Sequence, residues 1–128
     1  MVVVVVVVVV VDVVDLVETI GMTRRYEGQG LPGERLMNEA GFTALAHERL
    51  DVYQRAIEFL ALASSVLDGM PKGHSALSDQ LRRAALSIPL NIAEGVGKST
   101  RPDQRSFFHN ARGSAMECAA VLDACRVL

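Results

Sequence analysis

Tryptophan is absent from this chain of 128 residues, and aromatic residues make up only 5% of it. Proteins that hold single-stranded nucleic acid by base stacking need such rings, and the pattern around Phe107 and Phe108 predicts that both are buried. The formal net charge is only −2, which by itself predicts no polyanion partner. Any binding of RNA or DNA is therefore predicted to be electrostatic and weakly sequence-specific.

Cysteine is also scarce, and the two present, Cys118 and Cys125, are seven residues apart in one predicted helix. This spacing separates them by about 10 Å along the helix axis, whereas a disulfide tolerates about 7 Å between Cα atoms. We expect two small core thiols in a cytoplasmic protein. The three histidines lack metal-ligand spacing, and no nucleophile has a base at a suitable spacing. The sequence thus predicts no metal site, no cofactor and no enzyme.

Residues 2–11 form an unbroken valine run. The run lacks the basic residues of a signal peptide, and Asp12 and Asp15 interrupt it before it reaches the about 20 apolar residues of a membrane helix. We therefore expect no membrane segment. We interpret residues 1–36 as a leader outside the domain, as spurious upstream translation would produce. Met37 is then the expected initiator, and the domain covers residues 37–128.

Gly97, Lys98 and Ser99 match the end of the phosphate-binding loop G-x-x-x-x-G-K-[ST]. The first glycine of that motif would fall at Ile92, and the preceding segment has the apolar spacing of a helix, not of a strand. A nucleotide site is therefore not expected. The glycines instead indicate a helix boundary, with Gly95 ending one helix and the following segment starting the next.

Three helices are predicted from the periodicity of apolar residues. The first runs from about Leu45 to Leu67 and the second from about Ser75 to Glu94, while the third starts within the segment STRPDQ, where Thr100 or Ser99 can cap it. The expected core face of the first helix is Val52, Tyr53, Ala56, Ile57, Leu60, Ala63 and Leu67. That of the third helix is Phe107, Phe108, Ala111, Ser114, Ala115, Cys118, Val121, Leu122 and Cys125.

Several residues have structural roles in this scheme. Pro89 lies inside the second helix and should bend it by about 20° or more, since its ring clashes with the carbonyl of Ala85 and removes one hydrogen bond. Asn91 is expected either to hydrogen-bond to the backbone group that Pro89 leaves without its partner, or to hydrogen-bond to a neighbouring helix. Gly113 begins a run of small residues that should let a neighbouring helix approach closely.

Short connections between the helices predict an all-α, antiparallel up-and-down helical bundle. The third helix is still apolar where the chain ends, so we expect either that a partner covers it or that residues are missing. The groove left between the first and third helices should be lined by Leu60, Leu67, Val121 and Leu122. A chain with such a groove is expected to self-associate.

Basic residues are concentrated between residues 82 and 112, where only Glu94 and Asp103 are acidic, which gives a local charge of about +4. Two interpretations stay open, a solvated polar face and a surface that contacts a polyanion. For Arg82, the first interpretation includes pairing with Asp79 one turn earlier. The candidate phosphate contacts are Arg82, Arg83, Lys98, Arg101, Arg105 and Arg112.

Three segments carry a family resemblance: LDVYQRAIEF, LSDQLRRAALSIPLNIAEGVGKST and RSFFHNARGSAMEC. Together they resemble the four-helix-bundle proteins encoded by intervening sequences in bacterial 23S ribosomal RNA genes. That family includes the accessory variability determinant of diversity-generating retroelements. The resemblance covers about Phe42 to Leu128. Since members of the family continue into a fourth helix, it implies three helices of a four-helix bundle with the fourth missing.

This resemblance implies a non-enzymatic bundle that is often assembled into a barrel-shaped pentamer and whose basic residues contact nucleic acid. Retroelement members also bind the reverse transcriptase. We therefore expect an oligomeric bundle that binds RNA or DNA through its basic surface. The alternative is a protein–protein scaffold or accessory subunit whose basic surface is incidental.

Overall fold

The computed structural model describes residues 45–128, and both the leader 1–36 and Met37 lie outside these residues. Within 45–128 the chain is helical and has no strand, which confirms the all-α fold class. A short 3₁₀ helix comes first and is followed by three α-helices. In chain order these elements are the 3₁₀ helix Ala46–Arg49, α1 (Asp51–Asp68), α2 (Ser75–Val96) and α3 (Arg101–Val127).

The first α-helix begins later than predicted. Leu50 has an extended backbone, with φ −86° and ψ 127°, and separates the 3₁₀ helix from α1. The Glu48 carboxylate accepts a hydrogen bond from the Leu45 N–H at 2.6 Å, which closes the 3₁₀ helix at its start. The apolar periodicity predicted one continuous helix from Leu45 because it does not register this change of backbone conformation.

The boundary between α2 and α3 differs from the prediction at Gly95. Gly95 does not end a helix: it is buried within α2, and Gly97 is the C-cap. A Cβ atom at Gly95 would lie 2.8 Å from Cε1 of Phe108, so this glycine permits close helix packing. Thr100 caps α3 as predicted, because its hydroxyl accepts a hydrogen bond from the Asp103 N–H at 3.3 Å.

α2 lies between the other two helices and packs against both. It runs antiparallel to α3, since Ser87 contacts Ser114 while the earlier Gln80 contacts the later Glu117. Within the described residues no Cα atom of α1 comes within 8 Å of one in α3. The bundle therefore has α1 and α3 on either side of α2.

The core consists of apolar side chains from all three helices. These buried residues are Val52, Ala56, Phe59, Ala63, Leu81, Ala84, Ala85, Ile88, Ile92, Ala111, Ala115, Cys118, Val121 and Leu122. The predicted face of α1 was wrong in part: Phe59 is fully buried, whereas Ile57 is 42% exposed. α1 is apolar on more than one side, so periodicity alone did not select the buried face.

Three further predictions are corrected by burial: the exposed groove, the close approach at Gly113 and the full burial of Phe107 and Phe108. Val121 and Leu122 do not line an exposed groove, since they are 8% and 0% exposed and pack in the core. Gly113 does not mediate a close helix approach, because it is exposed and a Cβ atom there would have open space around it. Phe107 and Phe108 are half-buried and pack against Gly95.

None of the helices described here has the length and apolar character required to cross a membrane.

Candidate nucleic-acid interface

Three of the six candidate arginines and lysines lie along one face of α3. Arg101, Arg105 and Arg112 are four and seven residues apart, and at about 100° per residue this spacing keeps them within an arc of about 40°. They extend over about 16 Å of the helix axis. Arg105 Nε also donates a hydrogen bond to Nε2 of His109, one turn further along, at 3.3 Å. We call these three arginines the α3 basic face.

The acidic residue within the segment that carries the α3 basic face, Asp103, is engaged in the helix cap. Asp103 is the only carboxylate between Arg101 and Arg112. Its side chain accepts a hydrogen bond from the Thr100 hydroxyl at 2.6 Å, while its backbone N–H donates to the same hydroxyl. Asp103 lies about 160° around the helix from Arg101. Asp103 is therefore on the opposite side of α3 from the start of the basic face.

Lys98, the candidate in the loop before α3, is held by neighbouring groups. Its Nζ lies 3.3 Å from the Glu94 carboxylate and 4.6 Å from the centre of the Phe107 ring. An ammonium placed over an aromatic face gains about 0.5–1 kcal/mol at an exposed site. Lys98 thus links the end of α2 to the start of α3, and its charge is offset by Glu94.

The two candidates in α2 differ in how their charge is compensated. Arg82 pairs with Asp79 at 3.3 Å, as the sequence predicted for its structural role. Arg83 donates instead to Oε1 of the neutral Gln80 at 2.8 Å. Both arginines are exposed. Arg83 therefore retains more of its positive charge for an external partner than Arg82 does.

The six candidates do not form one continuous patch. The contact of Ser87 with Ser114 fixes the register of the two antiparallel helices, at 2.8 Å between the hydroxyl oxygens. In this register Arg83 lies about 9 Å along the axis from the level of Arg112 and about 25 Å from that of Arg101. One copy of the chain thus presents two separate basic regions, one on α3 and one on α2.

A polar network lies beside Pro89 in α2. The Asn91 amide donates to the carbonyl and the hydroxyl of Ser87, at 2.8 and 2.9 Å. The Ser87 hydroxyl also accepts from Ser114, so the link between helices runs through Ser87, not directly from Asn91. Pro89 leaves the carbonyl of Ala85 without its usual backbone donor. The Asn91 amide does not replace that donor, because it bonds to Ser87 instead. α2 continues as a helix through Pro89 to Val96.

The cysteines are free and differ in burial, with Cys118 buried and Cys125 partly exposed. Burial raises the pKa of the Cys118 thiol to about 12, and the nearby Glu117 carboxylate contributes to the rise. A thiol that stays protonated is a poor nucleophile and metal ligand. Within residues 45–128, no group of three or more His, Cys, Asp or Glu side chains could hold a metal ion.

Comparison with known proteins identifies the family of this chain. The family model described as 23S rRNA-intervening sequence protein matches residues 48–128. A search of curated proteins and a search of solved structures each gave no match. The matched segment contains the 3₁₀ helix end, all three α-helices and all six candidate basic residues. The chain therefore belongs to the family of 23S rRNA-intervening sequence proteins.

Proposed function

We propose that the protein is a non-enzymatic, self-associating helical bundle that binds RNA or DNA in the cytoplasm through its α3 basic face. The observation that carries this proposal is the row of three arginines, Arg101, Arg105 and Arg112, along one face of α3. Guanidinium groups match the geometry of phosphate oxygens. Contacts to phosphates carry no direct sequence information, so the binding is only weakly sequence-specific.

Arg83 adds positive charge in the separate basic region on α2, while Arg82 and Lys98 contribute less. The charges of Arg82 and Lys98 are compensated by Asp79 and Glu94. A single copy carries few phosphate contacts and binds weakly. Self-association, into a pentamer by analogy with the family, would bring several basic faces onto one particle and strengthen binding through multivalency.

The test measures the affinity of the full chain for single-stranded RNA and DNA at two salt concentrations. Replacing Arg101, Arg105 and Arg112 with glutamine should weaken binding at low salt by at least about tenfold. It should also reduce the slope of log affinity against log salt by about 2, because each phosphate contact on a single strand contributes about 0.7. Far-ultraviolet circular dichroism checks that the variant keeps its helices.

A matched control removes the same charge from other parts of the surface. Arg49, Arg55 and Arg126 are exposed, and Arg55 and Arg126 form surface pairs with Glu58 and Asp123. Their replacement by glutamine should leave most of the affinity intact. If both triple variants weaken binding equally, the α3 basic face is not the site. If the wild-type chain does not bind even at low salt, the scaffold function replaces this proposal.

A further inference from the structure

The outer face of α2 carries an apolar stripe that the core does not use. Leu86 is 45% exposed and Leu90 is 58% exposed, although both lie in the middle of the helix. They border an open groove of about 240 Å³ that is also lined by Arg83 and Glu94 at its two ends. At about 100° per residue, these four residues fall within an arc of about 80°. We call this the α2 outer face.

The α2 outer face is complementary to the same face of a second, antiparallel copy. An arginine stands three residues before Leu86, and a glutamate stands four residues after Leu90. When a second copy is placed antiparallel about a two-fold axis near residue 88, Leu86 faces Leu90 of the second copy. Arg83 then faces Glu94 of the second copy, and the reverse pair forms at the other end. An isologous interface requires this kind of self-complementary surface.

We propose that two copies of this chain bind each other through the α2 outer face, in an antiparallel arrangement with two-fold symmetry. The proposal rests on self-association of the chain, but not on a pentameric ring, whose interfaces are heterologous, and not on nucleic-acid binding. Within one copy, Glu94 contacts Lys98 at 3.3 Å and Arg83 contacts Gln80 at 2.8 Å. These contacts are exposed and worth little, so they can exchange for contacts across the interface.

The charge pattern favours a second copy over an unrelated partner. Opposite charges at the two ends of the stripe attract a surface of the same composition only in the antiparallel orientation, and they place like charges together in the parallel one. A stable interface buries about 1,200 Å² or more in total, whereas the α2 outer face spans only about 16 Å of one helix. The dimer therefore forms in a concentration-dependent manner.

Charge exchange tests the pairing of Arg83 with Glu94. In sedimentation of the full chain over a range of concentrations, Arg83→Glu and Glu94→Arg should each weaken association by at least about tenfold, because each places like charges opposite one another. The double variant Arg83→Glu/Glu94→Arg should restore association, since the two-fold arrangement again pairs opposite charges. The matched control, Arg55→Glu/Glu58→Arg on α1, should have no effect.

Cysteine cross-linking tests the antiparallel register in a Cys125→Ser background. A mixture of Leu86→Cys and Leu90→Cys chains should form a mixed disulfide on oxidation, because facing Cα atoms lie within the about 7 Å limit. Leu86→Cys chains alone should not cross-link, since like positions are offset by about 6 Å along the axis, which takes their Cα atoms beyond that limit.

The outcomes separate this inference from the proposed function. Two results would overturn the α2 contact but not self-association. One is association that is unchanged by the charge exchange. The other is cross-linking of Leu86→Cys chains to each other as readily as to Leu90→Cys chains. A wild-type chain that stays monomeric at every concentration overturns both the α2 contact and the proposed self-association. Nucleic-acid binding by that monomer would still support the α3 basic face.

Discussion

Two glycines in neighbouring helices have opposite surroundings, and this allows a direct comparison. A Cβ atom at Gly95 would lie 2.8 Å from Cε1 of Phe108 and 3.1 Å from Cβ of Phe107. Gly95→Ala should lower the free energy of unfolding by about 1 kcal/mol or more, because overpacking of about 1–3 kcal/mol outweighs the helix propensity gained. Urea unfolding followed by circular dichroism measures this change.

Gly113→Ala is the matched control for that substitution. Gly113 is exposed within α3 and has open space where a Cβ atom would lie. Only the helix propensity changes, so the free energy of unfolding should rise by about 0.5–1 kcal/mol. Equal effects of the two substitutions would contradict the close packing of Gly95 against Phe107 and Phe108.

The two cysteines should differ in their reaction with thiol reagents. Cys118 is buried and its pKa is raised to about 12, so its thiol is both protonated and inaccessible at pH 8. Cys125, which is partly exposed, should react first. We expect one rapidly labelled thiol in the native protein and two after denaturation, as counted by mass spectrometry. A Cys125→Ser chain that labels rapidly in its native state would contradict the burial of Cys118.

The raised pKa of Cys118 also predicts a pH dependence of stability. The folded state keeps the Cys118 proton up to about pH 12, whereas the unfolded chain releases it near the ordinary thiol pKa. This contribution is complete below that ordinary value and is lost as the pH rises towards 12. Cys118→Ala should therefore flatten the alkaline fall in the free energy of unfolding.

At the scale of the helices, replacing Pro89 measures how much a buried proline lowers the free energy of unfolding. Proline inside a helix costs about 3 kcal/mol relative to alanine, whereas loss of the buried ring carbons removes about 0.8 kcal/mol for each CH₂ group. Pro89→Ala should therefore raise the free energy of unfolding by about 1 kcal/mol. A decrease measured in urea would mean that packing of the ring outweighs the missing hydrogen bond to Ala85.

The helices could be predicted from sequence where a local rule decides them. Thr100 was predicted, with Ser99 as the alternative, because serine and threonine before a helix start are favoured caps; the structure selects Thr100. The end of α2 was misplaced at Gly95 because a buried glycine and a terminal glycine look alike in sequence. What distinguishes them is the ring of Phe108, which comes from another helix.

At the scale of the whole molecule, the sequence predicted the fold class, but not how basic residues on different helices lie relative to one another. Periodicity specifies which residues share a helix face, and it therefore could group Arg101, Arg105 and Arg112. It does not specify the register between helices, which the contact of Ser87 with Ser114 sets. Leu86 and Leu90 each lie about 160° around α2 from the buried Ile88, so periodicity places them off the core face but does not specify what covers them.

The two faces of the molecule should act together in nucleic-acid binding. Two copies joined through α2 carry two α3 basic faces, so the second contact with a strand becomes intramolecular. Leu90→Gln should reduce self-association and lower the apparent affinity for a long single strand by about tenfold or more. Its effect on the free energy of unfolding should be small, because Leu90 is 58% exposed.

Ile57→Gln is the control for Leu90→Gln, since Ile57 is also an exposed apolar residue but lies on α1. It should change neither self-association nor affinity. The two variants are compared on a strand long enough for two copies and on one that holds a single copy. If Leu90→Gln is monomeric yet binds the long strand as tightly as the wild-type chain, the α3 basic face acts alone. If its affinity falls only on the long strand, the two faces act together, because a short strand offers no second contact.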